Sequence, residues 1–140
     1  MRQQDLFGSL LIMLVLMPGR VGAVNPKSEQ HGRIAQGQAL FKSDCAVCHG
    51  VTAKGDGPLS HELKVPPPNL TLLSRKNGGE FPADYIYRVI DGRDLPRAHG
   101  SSDMPVWGEV YKPALPSYGE RRVHDRLTKL VRYLKSLQVE

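Results

Sequence analysis

A chain of 140 residues is sized for one domain, and 40% hydrophobic residues are enough to build a core. The 19 Lys and Arg against 14 Asp and Glu make it basic. No aromatic-interleaved basic patch or nucleic-acid reading motif accompanies that charge, which argues against a nucleic-acid partner. There are two cysteines in all, too few for a closed four-cysteine zinc site.

In chain order, residues 1–23 read as a cleaved secretory signal. Arg2 gives a positive start, Leu6 to Met17 is apolar apart from Gly8 and Ser9, and Pro18-Gly19 breaks any helix. Val21-Gly22-Ala23 then offers the small-x-small pattern of a processing site. The apolar run is about 12 residues, whereas crossing a hydrocarbon layer about 30 Å thick takes about 20. No stable membrane insertion is therefore expected after cleavage. Asp5 offsets Arg2, so retention of the segment as an anchor is the competing reading. Loss of residues 1–23 removes Arg2, Arg20 and Asp5 and leaves one domain, 24–140, with a net charge of +4. A domain that small has a thin core, which a buried prosthetic group would thicken. Its positive charge suits docking on an acidic protein surface.

Val24 to Gln30 is polar and reads as a loose leader. From His31 a helical pattern sets in, with Ile34, Gly37, Leu40 and Phe41 on one face. A glycine inside a helix costs about 1 kcal/mol relative to alanine. Gly37 is thus expected where another helix comes close, with Phe41 filling the space beside it.

Cys45-Ala46-Val47-Cys48-His49 follows directly. Two cysteines three positions apart with a histidine next in line form the pattern of covalent c-type haem attachment. Each thiol can add to one vinyl group of the porphyrin, and His49 then sits within reach of the iron. Half a zinc site would need a second cysteine pair. A redox dithiol would need neither the histidine nor this context, because no βαβ pattern surrounds the motif.

From Gly50 to Asn69 the composition turns to Gly, Pro and polar residues, with a turn signal at Gly55-Asp56-Gly57-Pro58. Pro66-Pro67-Pro68 cannot continue a helix. A stiff run there is expected to wall one face of the prosthetic group and to offer a carbonyl to the Nδ1 proton of His49, leaving Nε2 for iron. A rigid linker is the plainer alternative. Pro82 to Ile90 reads as a short helix with Ile86, Val89 and Ile90 as its apolar stripe and Gly92 as its stop. A polar loop, Arg93 to Asp103, leads to Met104-Pro105, and Lys112 to Gly119 is a second Pro-rich link. The last helix spans about Glu120 to Leu137, with Val123, Leu127, Leu130, Val131, Leu134 and Leu137 on its apolar face.

Haem iron has a second axial position, and thioether sulfur suits it. Met1, Met13 and Met17 lie in the presumed signal, so Met104 is the one methionine of the mature chain. It sits in a polar loop and not on a core stripe, unlike an ordinary buried methionine. Met104 is the expected ligand and His99 the alternative, while His61 and His124 read as surface histidines.

With these residues placed, the chain resembles the class I cytochrome c family, and in particular its small single-haem bacterial periplasmic members. The resemblance rests on Gly37, Leu40 and Phe41, on Cys45, Cys48 and His49, on Pro68-Asn69-Leu70-Thr71, and on Met104-Pro105. It implies an all-α cytochrome c fold, three to four helices with long loops around one covalently bound haem c. It further implies close crossing of the first and last helices, Gly37 and Phe41 meeting Leu130, Tyr133 and Leu134. Pro68 is implied as the carbonyl partner of His49. The site expected is therefore Cys45, Cys48, His49, Pro68 and Met104, with His49 and Met104 on iron. Relatives often carry an acid where Asn69 stands, so no charge is transferred to that position. The stretch from Val110 to Arg121 is longer than a minimal member needs and suits a partner-specific surface.

The implied function is electron transfer by a soluble periplasmic carrier, not an enzyme, at a haem edge near Ala46 and Val47. Its partners would be an electron donor and acceptor such as a terminal oxidase, reductase or dehydrogenase. One alternative is the cytochrome subunit of such a complex. Another is a haem-based sensor or peroxidase whose distal ligand is displaced.

Overall fold

Asn25 and Pro26 start the first helix earlier than the apolar spacing alone suggests. In the computed structural model, which describes residues 25–93, 104–112 and 119–139, the expected loose leader is already helical. Asn25 Oδ1 accepts the Lys27 N–H at 3.0 Å, and Pro26 occupies the first helical position, where its missing N–H costs nothing. Helix α1 covers Pro26–Leu40. A π-helical turn, Phe41–Cys45, widens the path before α2, Ala46–His49. The 3₁₀ turns Ser60–Glu62 and Leu70–Leu72 and the short α3, Leu73–Lys76, follow. Then come α4, Ala83–Asp91, the single-turn α5, Trp107–Val110, and the long α6, Gly119–Ser136. No strand occurs among the described residues. The presumed signal, His99 and most of the Lys112–Gly119 link lie outside them.

The framework is the crossing of α1 and α6, the most extensive packing between elements. Gly37 is where the axes approach. A Cβ there would run into the Lys129 carbonyl and the Tyr133 side chain, which explains why the helix carries glycine at a cost in propensity. One turn on, Phe41 is 1% exposed and its ring lies 5.5 Å from that of Tyr133. Val123, Leu127, Leu130, Val131 and Leu134 are buried, the face that the 3.6-residue period marks. Each such side chain contributes about 1.5–3 kcal/mol by leaving water. Helix α4 adds Ile86, Val89 and Ile90 to this core and ends at Gly92, whose φ of 72° is the left-handed conformation glycine adopts freely.

The C-terminus closes the rest. Gln138 accepts the Ser74 N–H at 2.9 Å, donates to the Leu70 and Leu134 carbonyls at 2.9 and 2.7 Å, and the Val139 N–H reaches the Thr71 carbonyl at 3.0 Å. These bonds tie the segment after the prolines to the end of α6, so the long loop is held by its far end as well as at the motif.

Candidate functional site

The Cys45–His49 motif is built onto the end of the first helical stretch, and the loop after it folds back over that end. A helix terminus leaves carbonyls without intrahelical partners, and here the returning loop supplies them. The Leu59 N–H donates to the Val47 carbonyl at 2.9 Å, the Gly57 N–H to Cys48 at 3.2 Å and the Gly55 N–H to His49 at 2.8 Å. The approach is so close that a Cβ on Gly57 would strike the backbone of Val47 and Cys48. Gly55, at φ 84°, lies against the Pro67 carbonyl in the same way. The turn signal read at Gly55-Asp56-Gly57-Pro58 is thus the clamp that fixes the motif against the proline run.

An open, mostly apolar cleft lies between these parts. Asp44, Cys45, Cys48 and His49 line it from the helix, and Pro66, Pro67 and Pro68 line it from the loop. Leu63 and Val65 add apolar surface, while Met104, Pro105 and Trp107 come from the segment around α5. All five residues expected at the site, Cys45, Cys48, His49, Pro68 and Met104, therefore border one cleft. Two thiols, an imidazole and a thioether around mostly apolar lining are the donor set that a covalently held iron porphyrin needs. The residues fit that group. Among the described residues, no cluster of three or more His, Cys, Asp or Glu side chains is placed to hold a bare metal ion.

Both cysteines are free thiols. Burial, with the neighbouring Asp44 and Cys48 adding to it, pushes the Cys45 thiol up to about 12. A redox dithiol relies on the opposite shift, toward thiolate at neutral pH, so the electrostatics disfavour that reading. Ala46, expected beside the exposed edge, is instead 6% exposed in the core, because the helix turns it toward the hydrophobic side. Val47 is 43% exposed, and Val51 and Leu59 also face solvent. The apolar surface near the motif is therefore Val47, Val51 and Leu59.

Several side chains around the cleft escaped the sequence reading. Trp107 lines it and stacks on Tyr111, ring centroids 5.3 Å apart. The Tyr111 hydroxyl donates to Asp44 Oδ2 at 2.7 Å, and the Arg126 guanidinium lies 4.9 Å over its ring. The one signal available was the lone Trp of the chain, three residues after Met104. Asn69 has a local role: its Oδ1 accepts from the Thr71 N–H and hydroxyl at 2.9 and 2.7 Å, starting the turn that ends the proline run. His61 and His124 are exposed, as expected, with His124 against the Tyr87 hydroxyl at 3.1 Å.

A family model described as "Cytochrome C oxidase, cbb3-type, subunit III" matches residues 32–134, well over half of the chain and the whole span from Gly37 to Met104. No curated protein and no solved structure matches. No helix among the described residues is long and apolar enough to cross a membrane.

Proposed function

Because the chain belongs to this cbb3-type family of c-type cytochrome domains, we propose that it is a periplasmic carrier of single electrons holding one haem c. The all-α fold is a cytochrome c fold, and the family is one of electron-transfer haem proteins. The finer reading, a soluble single-haem carrier, is supported chiefly by one observation: the C-x-x-C-H motif and the methionine of the mature chain border the same apolar cleft.

In this reading Cys45 and Cys48 anchor the porphyrin edge, and His49 and Met104 hold the iron. When bound, the group supplies one-electron exchange between ferric and ferrous iron. The chain's own residues do the rest. The Gly55–Leu59 loop fixes the motif, Pro66–Pro68 and Trp107 line the cleft, and with the group bound the Pro68 carbonyl would accept a hydrogen bond from the His49 Nδ1–H, leaving Nε2 for iron. With His49 and Met104 both holding the group, no open position on iron would be left for a substrate, so this reading is of a carrier and not of an enzyme. Val47, Val51 and Leu59 provide an apolar contact for a redox partner, and the basic charge speeds the encounter. Residues 1–23 serve as the export signal.

Intact mass of the exported protein tests the core of this reading. One haem added to a chain starting at Val24 is expected, and a colourless product overturns it. Met104→Ala should open the distal position and lower the reduction potential, because methionine raises it relative to other ligation. An unchanged potential would move the ligand to His99. The description of the matching family favours one further reading, a cytochrome subunit of an oxidase complex. Purification at native expression levels separates the two, since a carrier elutes alone and a subunit elutes with its partners.

A further inference from the structure

Met104 lines the cleft on a short arm that continues through Val106 into α5, whose second residue is Gly108. Two glycines bring this arm against the end of α4. Gly92 packs so closely that a Cβ would stand 3.3 Å from the Val106 Cα, and a Cβ on Gly108 would collide with Asp91 Oδ1 and Arg93 Nε. The contact at Gly108 is an ion pair. Arg93 donates to both Asp91 oxygens, Nε to Oδ1 at 2.6 Å and Nη2 to Oδ2 at 3.1 Å. Its Nη1 donates to both oxygens of Glu120 at the start of α6, at 2.9 Å each.

Asp91 is placed against its own interest. It is the last residue of α4, where the helix dipole disfavours a carboxylate, and its side chain is only 9% exposed. A carboxylate serving α4 alone would sit at the other end. Here it gains a bidentate guanidinium, and the pair presents a flat edge that only a glycine can approach. That edge is where the Met104 arm rests.

We propose that Asp91 and Arg93, closing on Gly108 with Gly92 on Val106, are positioning residues that hold the Met104 thioether in the cleft. The inference rests on the reading of Met104 as an axial ligand. Without the clasp, the arm exchanges between bound and released positions, and the distal site opens without loss of the covalent haem.

The test uses the haem-loaded protein with three readouts: covalent haem by mass, the sulfur-to-iron charge-transfer band of the oxidised form, and titration with imidazole as competing ligand. Arg93→Ala should keep the haem, weaken the band and bind imidazole about tenfold more tightly or better, reflecting the larger open population. Arg93→Lys keeps the charge but not the planar fork and should fall between. In a Met104→Ala background, Arg93→Ala should add nothing further to imidazole affinity. If Arg93→Ala lowers the melting temperature but leaves band and imidazole affinity unchanged, the cluster is a structural brace only and the proposal fails. Should Arg93→Ala yield no folded protein, Arg93→Lys and Asp91→Asn carry the same readouts, and native values in both overturn it equally. If Met104→Ala itself leaves the band and imidazole affinity unchanged, the ligand assignment falls and takes the positioning role with it. That signature is separate from failure of the clasp alone.

Discussion

The two stretches that carry the proposed ligands to the cleft are built by different means. Cys45, Cys48 and His49 sit on a continuous helical run that crosses α6 and is closed over by backbone hydrogen bonds at 2.8–3.2 Å from the next turn of chain. Met104 sits on an arm anchored by side chains, through Asp91 and Arg93 on one side and Tyr111 on the other. Backbone bonds within one stretch open only when that stretch unfolds. Side-chain anchors between distant stretches can release while the core stays intact. The motif side is therefore coupled to the stability of its stretch and the Met104 side to local opening, a division that suits a covalently held group with the proposed Met104 ligand on a releasable arm.

The largest break is expected in the framework of the proximal side. Phe41→Ala empties a site that is 1% exposed against Tyr133, and such truncations cost about 3–5 kcal/mol. Denaturant unfolding followed by circular dichroism should show that loss in the midpoint, and a cost under about 1 kcal/mol would mean that the α1–α6 crossing is not the framework. Next comes Gly57→Ala, which pushes a methyl group into the backbone of Val47 and Cys48. Overpacking of this kind costs about 1–3 kcal/mol. Because the strain falls on the motif, the fraction of chains carrying haem by mass should drop as well. Full loading with native stability would show that the loop does not position the cysteines.

How much of this was legible in the sequence follows the same division. The proximal side depends on near neighbours: a motif within five residues, a turn signal, and the 3.6-residue period of α6, whose expected Glu120–Leu137 span lies within one residue of the observed helix. Gly37 could be assigned to a helix crossing because glycine inside a helix is costly without a reason. The start of α1 was misread since Asn25 and Pro26 carry no apolar periodicity; the cap and the first-turn proline were the signal to follow. The anchors of the distal side could not be read. Arg93 and Glu120 lie 27 positions apart, and Asp44 and Tyr111 lie 67 apart. Nothing local in such pairs distinguishes them from solvated surface charges. Which residue among Ala46 and Val47 faces solvent was equally hidden, as the π-helical turn shifts the phase of the helix just before them.

The smallest expected effect lies at the brace joining the two sides. The Tyr111 hydroxyl donates to Asp44, the residue before Cys45, while its ring contacts the Trp107 ring and the Arg126 guanidinium. Tyr111→Phe keeps the ring and removes one hydrogen bond, which should cost about 1 kcal/mol. The signature is in its pH dependence. Burial, then the hydrogen bond and negative charge of Asp44, raise the phenol pKa above its ordinary value. The folded protein thus holds the proton more tightly than the unfolded chain does. Stability from this group is fully present below pH about 10, the ordinary phenol pKa, and is lost as pH rises beyond it. Denaturant midpoints measured from pH 8 to 11 should fall more steeply in the native protein than in Tyr111→Phe, so that the two curves converge at the alkaline end. Parallel curves would mean that the phenol gains nothing from Asp44, and the two sides of the cleft would then be joined only through the core.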